Sequence, residues 1–409
     1  MRVPSRSRKK SGAGLRAAGL LASLCWGSCS PAATKTAPIA DIAVSEPPQQ
    51  NRWTEWTSSP RASHYSPGNA PALGYCEWAD EGLSAVAQLL AEQEATTGEI
   101  PEVDELGFEL RVAGVPQVWP RRRSAVGDIF APETKQGFVN WLASFDDGGQ
   151  RRCGLGTAST SAGRSVLTII AVDALADLKR VPRRARVGQW LEVEAQLLEA
   201  ASDAKVVVLG PRGAPRTVPT QLTADLVRAR VAMSEPGPWL LQVLSTLNNG
   251  PRPVLEALVF VDEAPYASFQ SAEVPGEHAG GSQGTAALAL FAMLNASRRA
   301  EGLRPLTYDA ALASGAASHA EAMRQSGRVA HDLGRGTTTE RVQALGFETE
   351  VLGENVVRAP TVVRAHRTLW ASPSHRSNML NPRFTHAGIG MAEGPNGQLW
   401  MSQLFASFM

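Results

Sequence analysis

Apolar and polar positions change their period several times along the chain, and each change predicts a different kind of element. From Glu77 to Gln93 the residues Trp78, Leu83, Val86, Leu89 and Leu90 supply the apolar stripe of an amphipathic helix. Phe108–Val112 alternates and predicts a strand. Phe138–Phe145, with Trp141, predicts a helix, and the continuous run Val166–Val172 a buried strand. Short apolar runs follow at Gln189–Leu197, Lys205–Leu209, Ala224–Ala232, Trp239–Leu244 and Val254–Val261. Pro211-Arg-Gly, Glu235-Pro-Gly-Pro and Asn248-Asn-Gly-Pro punctuate them, as the turns of an immunoglobulin-like β-sandwich would. The helical period returns at Ala286–Glu301, with Leu290, Phe291 and Leu294 inward. Asp309 is placed to cap a second helix, whose inward face carries Leu312, Ala316, His319, Ala320 and Met323. Glu340–Leu345 is a short helix ended by Gly346, and Val362–Trp370 another, stopped by Ser372-Pro373. Ala387–Ala392, the turn Gly394-Pro-Asn-Gly397 and Leu399–Phe405 predict a closing hairpin. The stretch Cys153-Gly-Leu-Gly before an apolar strand echoes His386-Ala-Gly-Ile-Gly before Leu399-Trp-Met. This fits either a degenerate internal repeat or a coincidence of strand and turn.

These patterns divide the chain. At 409 residues it exceeds one ordinary domain of roughly 150 residues. Residues 1–29 read as an export signal: Arg2, Arg6, Arg8, Lys9 and Lys10 precede the short apolar run Leu15–Trp26. The small residues Gly27-Ser28 before Cys29 also permit a lipoprotein signal, with Cys29 as the lipid anchor, although Trp26 is a poor fit to the aliphatic residue such a signal uses. Residues 30–72 form a spacer rich in Pro, Ser and Ala. Residues 75–178 form an α+β domain of unassigned role, 186–262 the β-sandwich, 263–284 a flexible linker and 285–409 a further α+β domain. The fold class is α+β throughout, with the sandwich as the all-β part.

Composition narrows the function classes. Hydrophobic residues are 43% and charged residues 19%, enough to bury cores. A formal net charge of +1 supplies no field toward nucleic acid, so no nucleic-acid partner is expected. Gly210-Pro-Arg-Gly is a turn and not a phosphate loop, because no Lys-Ser/Thr follows. Of the four cysteines, Cys25 and Cys29 fall in the export signal, which leaves Cys76 and Cys153 to pair as a disulfide in an exported protein.

The chemistry concentrates between Gly353 and Gly390. There the sequence reads Gly353-Glu354-Asn355, then Trp370, then Ser372-Pro-Ser-His375-Arg376-Ser-Asn378, and then Gly388-Ile-Gly390. Upstream stand Leu294-Asn295, Gly302-Leu-Arg-Pro-Leu306, Ala316-Ala-Ser-His319-Ala320, His331, Glu340-Arg341 and Gly346-Phe347. In this order the residues resemble the CAP family (cysteine-rich secretory proteins, antigen 5 and pathogenesis-related proteins), also called the SCP domain, and its bacterial branch in particular. The resemblance covers the last third of the chain. It implies an α-β-α sandwich with a cleft lined by two histidines and two acids able to hold a divalent cation.

Transferred to this sequence, the resemblance names His331, His375 and Glu354 as cleft and metal residues, Zn as the candidate ion, and Asn355 beside them. The second acid is missing, since no Asp or Glu occurs between Asn355 and His386. That loss weakens schemes needing both a ligand and a separate general base. His319 lies on an apolar helix face and reads as structural, and His366 and His386 read as structural or exposed. Ser372 and Ser374 lack the elbow that frames a nucleophile. The expectation is therefore an exported binding module for an extracytoplasmic peptide, lipid or protein ligand. A metal-dependent hydrolase and a structural envelope protein are the alternatives.

Overall fold

Asp80 accepts a hydrogen bond from the Leu83 N–H and starts helix α1 (Glu81–Thr97), which Gly98 ends at φ +72°. The helix begins after Trp78, because Trp78–Ala79 is a strand pairing in parallel with Gln150–Ser159. Leu89, placed on the stripe by its spacing, is 39% exposed. The structure is a computed structural model. It describes residues 52–408 apart from 60–62, 65–75, 101–102, 145–147, 270–271, 282–283 and 350. The export signal, the Cys29 anchor and most of the spacer lie outside the described residues.

The expected strand at Phe108–Val112 is the end of helix α2 (Val103–Val112). Leu106 and Leu110 pack against α1, while Phe108 and Val112 pack against Trp53 and Phe260. A helix buried on two sides shows alternation over five residues, which is why its period reads as a strand. Helix α3 (Pro132–Ala143) fulfils the expectation around Trp141 and buries Phe138 and Leu142. They sit beside Cys76 and Cys153, which are bonded to each other. Closing that loop contributes about 4 kcal/mol in the chain-entropy account.

These helices cover the two faces of a sheet ordered Ser63–His64, Trp78–Ala79, Gln150–Ser159, Ser165–Ala174, Arg121–Gly127. Two further sheets share one core. The first runs Thr220–Thr223, Leu226–Ala232, Trp190–Leu197, Ala176–Leu178. The second runs Arg216–Val218, Asp203–Leu209, Gly237–Leu247, Gly250–Val261, Arg184–Ala185. The last expected strands thus lengthen into a long hairpin, Gly237–Leu247 with Gly250–Val261, turned at Asn248-Asn249.

In the C-terminal part, helix α4 (Ala286–Ala300) is capped by Thr285, and α5 (Ala310–Ser326) by Asp309 with Gly327 at its end. Helix α6 (Thr338–Ala344) opens on a capping box between Thr337 and Glu340. Helices α7 (Val362–Ala371) and α8 (Pro373–Met379) meet at Ser372. The sheet is ordered Thr307–Tyr308, His386–Glu393, Leu399–Ala406, Leu352–Ala359. Helices α4 and α7 pack on one face through Leu290, Leu294, Leu369 and Trp370, and α5 and α6 on the other through Leu312, Ala316 and Val342. This is an α-β-α sandwich.

The echo between Cys153-Gly-Leu-Gly and His386-Ala-Gly-Ile-Gly has a structural cause. Both sheets use one topology: a short strand, an aspartate-capped helix of 17 residues, an edge strand, and a hairpin whose first strand runs parallel to the short one. The main chain of α1 crosses Gly154 at Leu83–Ser84 and Gly156 at Ala87–Gln88. That of α5 crosses Gly388 at Leu312–Ala313 and Gly390 at Ala316–Ala317. A Cβ at any of the four would overlap helix backbone. Gly390→Ala should therefore destabilise by about 1–3 kcal/mol, as overpacking does. Urea unfolding checks this, and an unchanged midpoint would mean that α5 rides farther off the strand.

The linker, expected to be flexible, is docked in its described portions. Tyr266 accepts from Trp53 Nε1 at 2.7 Å and packs on Phe260, and Phe269 packs on Phe108. Farther along, Glu277 takes Arg367 at 2.7 and 2.8 Å, and Pro275 accepts from His366 Nε2 at 2.9 Å. Among the described residues no helix is long and apolar enough to cross a membrane.

Candidate functional site

The site is built around a buried carboxylate. Glu354 stands on the edge strand Leu352–Ala359, and its side chain is 1% exposed. Burial alone would raise its pKa. The hydrogen bond from His331 and the charges of His331, Arg341 and His319 instead hold it at about 2. His331 Nδ1 donates to Oε2 at 2.9 Å, and Thr338 Oγ1 donates to the same oxygen at 2.9 Å. Oε1 accepts from Ser402 Oγ at 3.0 Å. Arg341 Nη2 reaches Oε1 at 3.1 Å and Oε2 at 2.9 Å, and Nη1 reaches Oε1 at 3.2 Å. A carboxylate offers about four lone-pair sites, so these donors saturate it.

Local folding explains these placements. The capping box fixes the start of α6, which sets Thr338 and Arg341 over the edge strand. Arg341 Nη2 also donates to the His331 carbonyl at 2.9 Å, tying down the segment that leaves α5. Asn355 is fully buried beside Glu354. Its Nδ2 donates to the His375 carbonyl at 3.1 Å and to Gln403 Oε1 at 3.0 Å, while Asn378 donates to its Oδ1 at 2.9 Å. Asn355 thus clamps α8 to the sheet and brings His375 in.

His375 is buried, and its Nδ1 has no partner. Burial first, and then nearby His331, push its imidazole down to about 3, so it is neutral at ordinary pH. His319 is buried as its helical spacing implies. Its Nε2 donates to the Ala330 carbonyl at 2.8 Å, and it lies 4.0 Å from Glu354. His366 bonds Pro275 and Ser297, and His386 meets Thr385. Ser372 and Ser374 contact each other at 3.2 Å, and neither bonds the His375 Nδ1.

Of the sequence-assigned residues, His331 and Glu354 are joined directly. Asn355 and His375 are joined to each other through the main chain. Among the described residues, three His, Cys, Asp or Glu donors lie mutually within 4.8 Å at Glu273, Glu277 and His278, whereas His331, Glu354 and His375 do not form a group of this kind. With Glu354 saturated, the imidazoles of His331 and His375 are the donors left for a divalent cation. Sequence reasoning missed Thr338, Ser402 and the role of Arg341. Glu340-Arg341 marks the start of a helix in the sequence but carries no signal that Arg341 folds back over Glu354.

The repeated topology makes one comparison within the chain. Glu354 lies opposite Leu404, which pairs with Gly388; Arg122 lies opposite Ile170, which pairs with Gly154. Arg122 therefore occupies the register position of Glu354, and the first sheet presents a cation where the second presents the site's carboxylate.

Residues 291–405 match the model of the CAP family, the cysteine-rich secretory protein family. The protein YkwD of Bacillus subtilis (strain 168), described as uncharacterized, is 30% identical over 113 residues, covering 27% of this chain and 43% of that protein. The chain thus spans less than half the length of that relative. An outer surface protein from Borrelia burgdorferi is similar at 18% identity over 30% of this chain and 93% of that one, with a TM-score of 0.29. An extracellular protein containing a SCP domain from Bacillus anthracis str. Ames is similar at 15% identity over 66% and 92%, with a TM-score of 0.29. The C-terminal region of this chain is a CAP domain of bacterial type.

Proposed function

We propose that the chain is an exported, non-enzymatic binding module. Its CAP domain takes an extracytoplasmic peptide, lipid or protein ligand at the mouth around His331, Asn355 and His375, with Glu354 as the buried anchor. Saturation of Glu354 is the observation that carries this reading. A general base needs a free lone pair and a pKa near the working pH. Glu354, at about 2, has neither, and His375, at about 3, is too weak a base to take a proton at neutral pH. Glu354 instead orients His331 through Nδ1, as carboxylates do for metal-binding histidines. A divalent cation such as Zn would be held by His331 and His375 without Glu354.

The leader fits export, either as a simple signal peptide or with Cys29 as a lipid anchor, and the spacer expected at 30–72 ends before Trp53, which packs in the core with Phe108 and Phe260. The double sheet expected at 186–262 also takes in Ala176–Leu178 and Arg184–Ala185, and it fits an immunoglobulin-like domain that presents the CAP domain, with the preceding α+β part packed against it through Phe108 and Phe260. The test offers a peptide library to the purified mature protein with and without added Zn. The expected result is no cleavage in either case, with retention of a bound fraction that His331→Ala loses. Metal-dependent cleavage abolished by Glu354→Gln overturns the reading.

A further inference from the structure

We propose that the tip of the long sandwich hairpin is a detachable lid, held in cis over the mouth of the CAP site. The proposal rests on the reading of that mouth as the binding site. Three contacts place the lid. The Asn249 carbonyl accepts from the Asp332 N–H at 3.2 Å, one residue beyond His331. Gly250 lies against His331 itself: a Cβ there would stand 2.9 Å from the His331 Cβ, and its φ of +98° suits glycine. Lower on the hairpin, Gln242 is fully buried. Its Oε1 accepts from the Ser374 N–H at 3.0 Å, and its Nε2 meets Ser372 Oγ at 3.5 Å and Glu256 Oε1 at 2.8 Å. The hairpin thus touches the residue before His375 on one side and His331 with its neighbour on the other.

The character of the contact makes it reversible. Among the described residues, no hydrophobic cluster mixes side chains of the sandwich with those of the CAP domain. The sandwich and the first part, by contrast, share Trp53, Phe108, Val112 and Phe260. Polar contacts exchange for water at little net cost, whereas a shared apolar core does not. The polar side is also incompletely satisfied, since Asn249 Oδ1 and His375 Nδ1 are buried without partners. A ligand entering the mouth displaces the Asn249 carbonyl and the Gln242 amide, and supplies acceptors to the same two main-chain N–H groups.

The test reads the accessibility of His331 on the full exported chain, with no ligand present. It measures carbethoxylation of His331 by mass spectrometry against His278, which is 77% exposed at its side chain and serves as the internal standard. Gln242→Ala should raise the relative rate at His331 by about tenfold, the factor that ~1.4 kcal/mol of lost closure gives. A second variant closes the lid. Asn249→Cys with Asp332→Cys places a disulfide between two residues already linked main chain to main chain. The cross-linked chain should react about tenfold more slowly at His331 than wild type. An unchanged rate in the cross-linked chain overturns the lid, whatever Gln242→Ala does. Because no ligand enters the measurement, that failure leaves the binding reading standing, and failure of the binding reading leaves the lid measurable.

Discussion

Replacing Arg341 with methionine should lower the unfolding free energy by about 3–5 kcal/mol, the usual cost of removing one partner from a buried ion pair. Glu354 is 1% exposed at its side chain and Arg341 15%, so solvent cannot replace the lost guanidinium. The carboxylate would keep His331, Thr338 and Ser402, which donate hydrogen bonds without a permanent charge. Burial would then push the Glu354 pKa upward from about 2, and acid unfolding would begin at higher pH. Glu354→Gln alone should also destabilise, because it strands the Arg341 charge. The double variant should cost less than the sum of the two, with a coupling of up to ~3 kcal/mol. Urea titrations of the four proteins at neutral pH make the measurement. Additive losses would show that Arg341 does not carry the charge balance of the site.

That role for Arg341 was not legible in the sequence, and the reason is physical. Neither hydrophobic period nor residue spacing reports which cation folds back over a carboxylate 13 residues away. Glu354, Asn355, His331 and His375 could be assigned because they fall on the pattern by which the chain resembles the CAP family, and not because spacing or period singled them out. Their mutual geometry depends on Asn355, which bonds the His375 carbonyl, and on Arg341, which bonds the His331 carbonyl. Side-chain-to-main-chain bonds of this kind leave no periodic trace.

The Gly-x-Gly echo was legible for the opposite reason. A helix main chain crossing a strand tolerates no Cβ, so the sequence must carry glycine at both crossing points in each sheet. What the echo could not tell was charge. Arg122 holds the register of Glu354, so among the described residues the two copies of the topology carry one copy of the site's carboxylate. Helix α2 misled because its two buried faces mimic a strand. The lid was hidden because its turn, Asn248-Asn249-Gly250, announces only a hairpin, while its contacts lie more than 80 residues along the chain.

His375 should make the protein progressively less stable as pH falls below about 6.5, and His375→Gln should remove one proton's worth of that slope. In the unfolded chain the imidazole takes up a proton near its ordinary value of 6.5, whereas burial and His331 hold the folded value at about 3. Between these values the unfolded state binds the proton and the folded state does not. Stability is therefore fully present above about 6.5 and is lost on acidification at up to ~1.4 kcal/mol per pH unit. Glu354 acts in the same direction but lower, since its folded value of about 2 lies below its ordinary value of 4.5. His319 and His366, also lowered chiefly by burial, add to the histidine slope in both proteins. The window from about pH 6.5 to 5 thus isolates the histidines from Glu354. Urea unfolding at several pH values in that window should give a wild-type slope steeper than that of His375→Gln by about 1 kcal/mol per unit or more. Parallel slopes would mean that His375 is protonated in the folded protein. Its unpartnered Nδ1 would then face a charge or solvent, and the mouth would already be open beneath the hairpin.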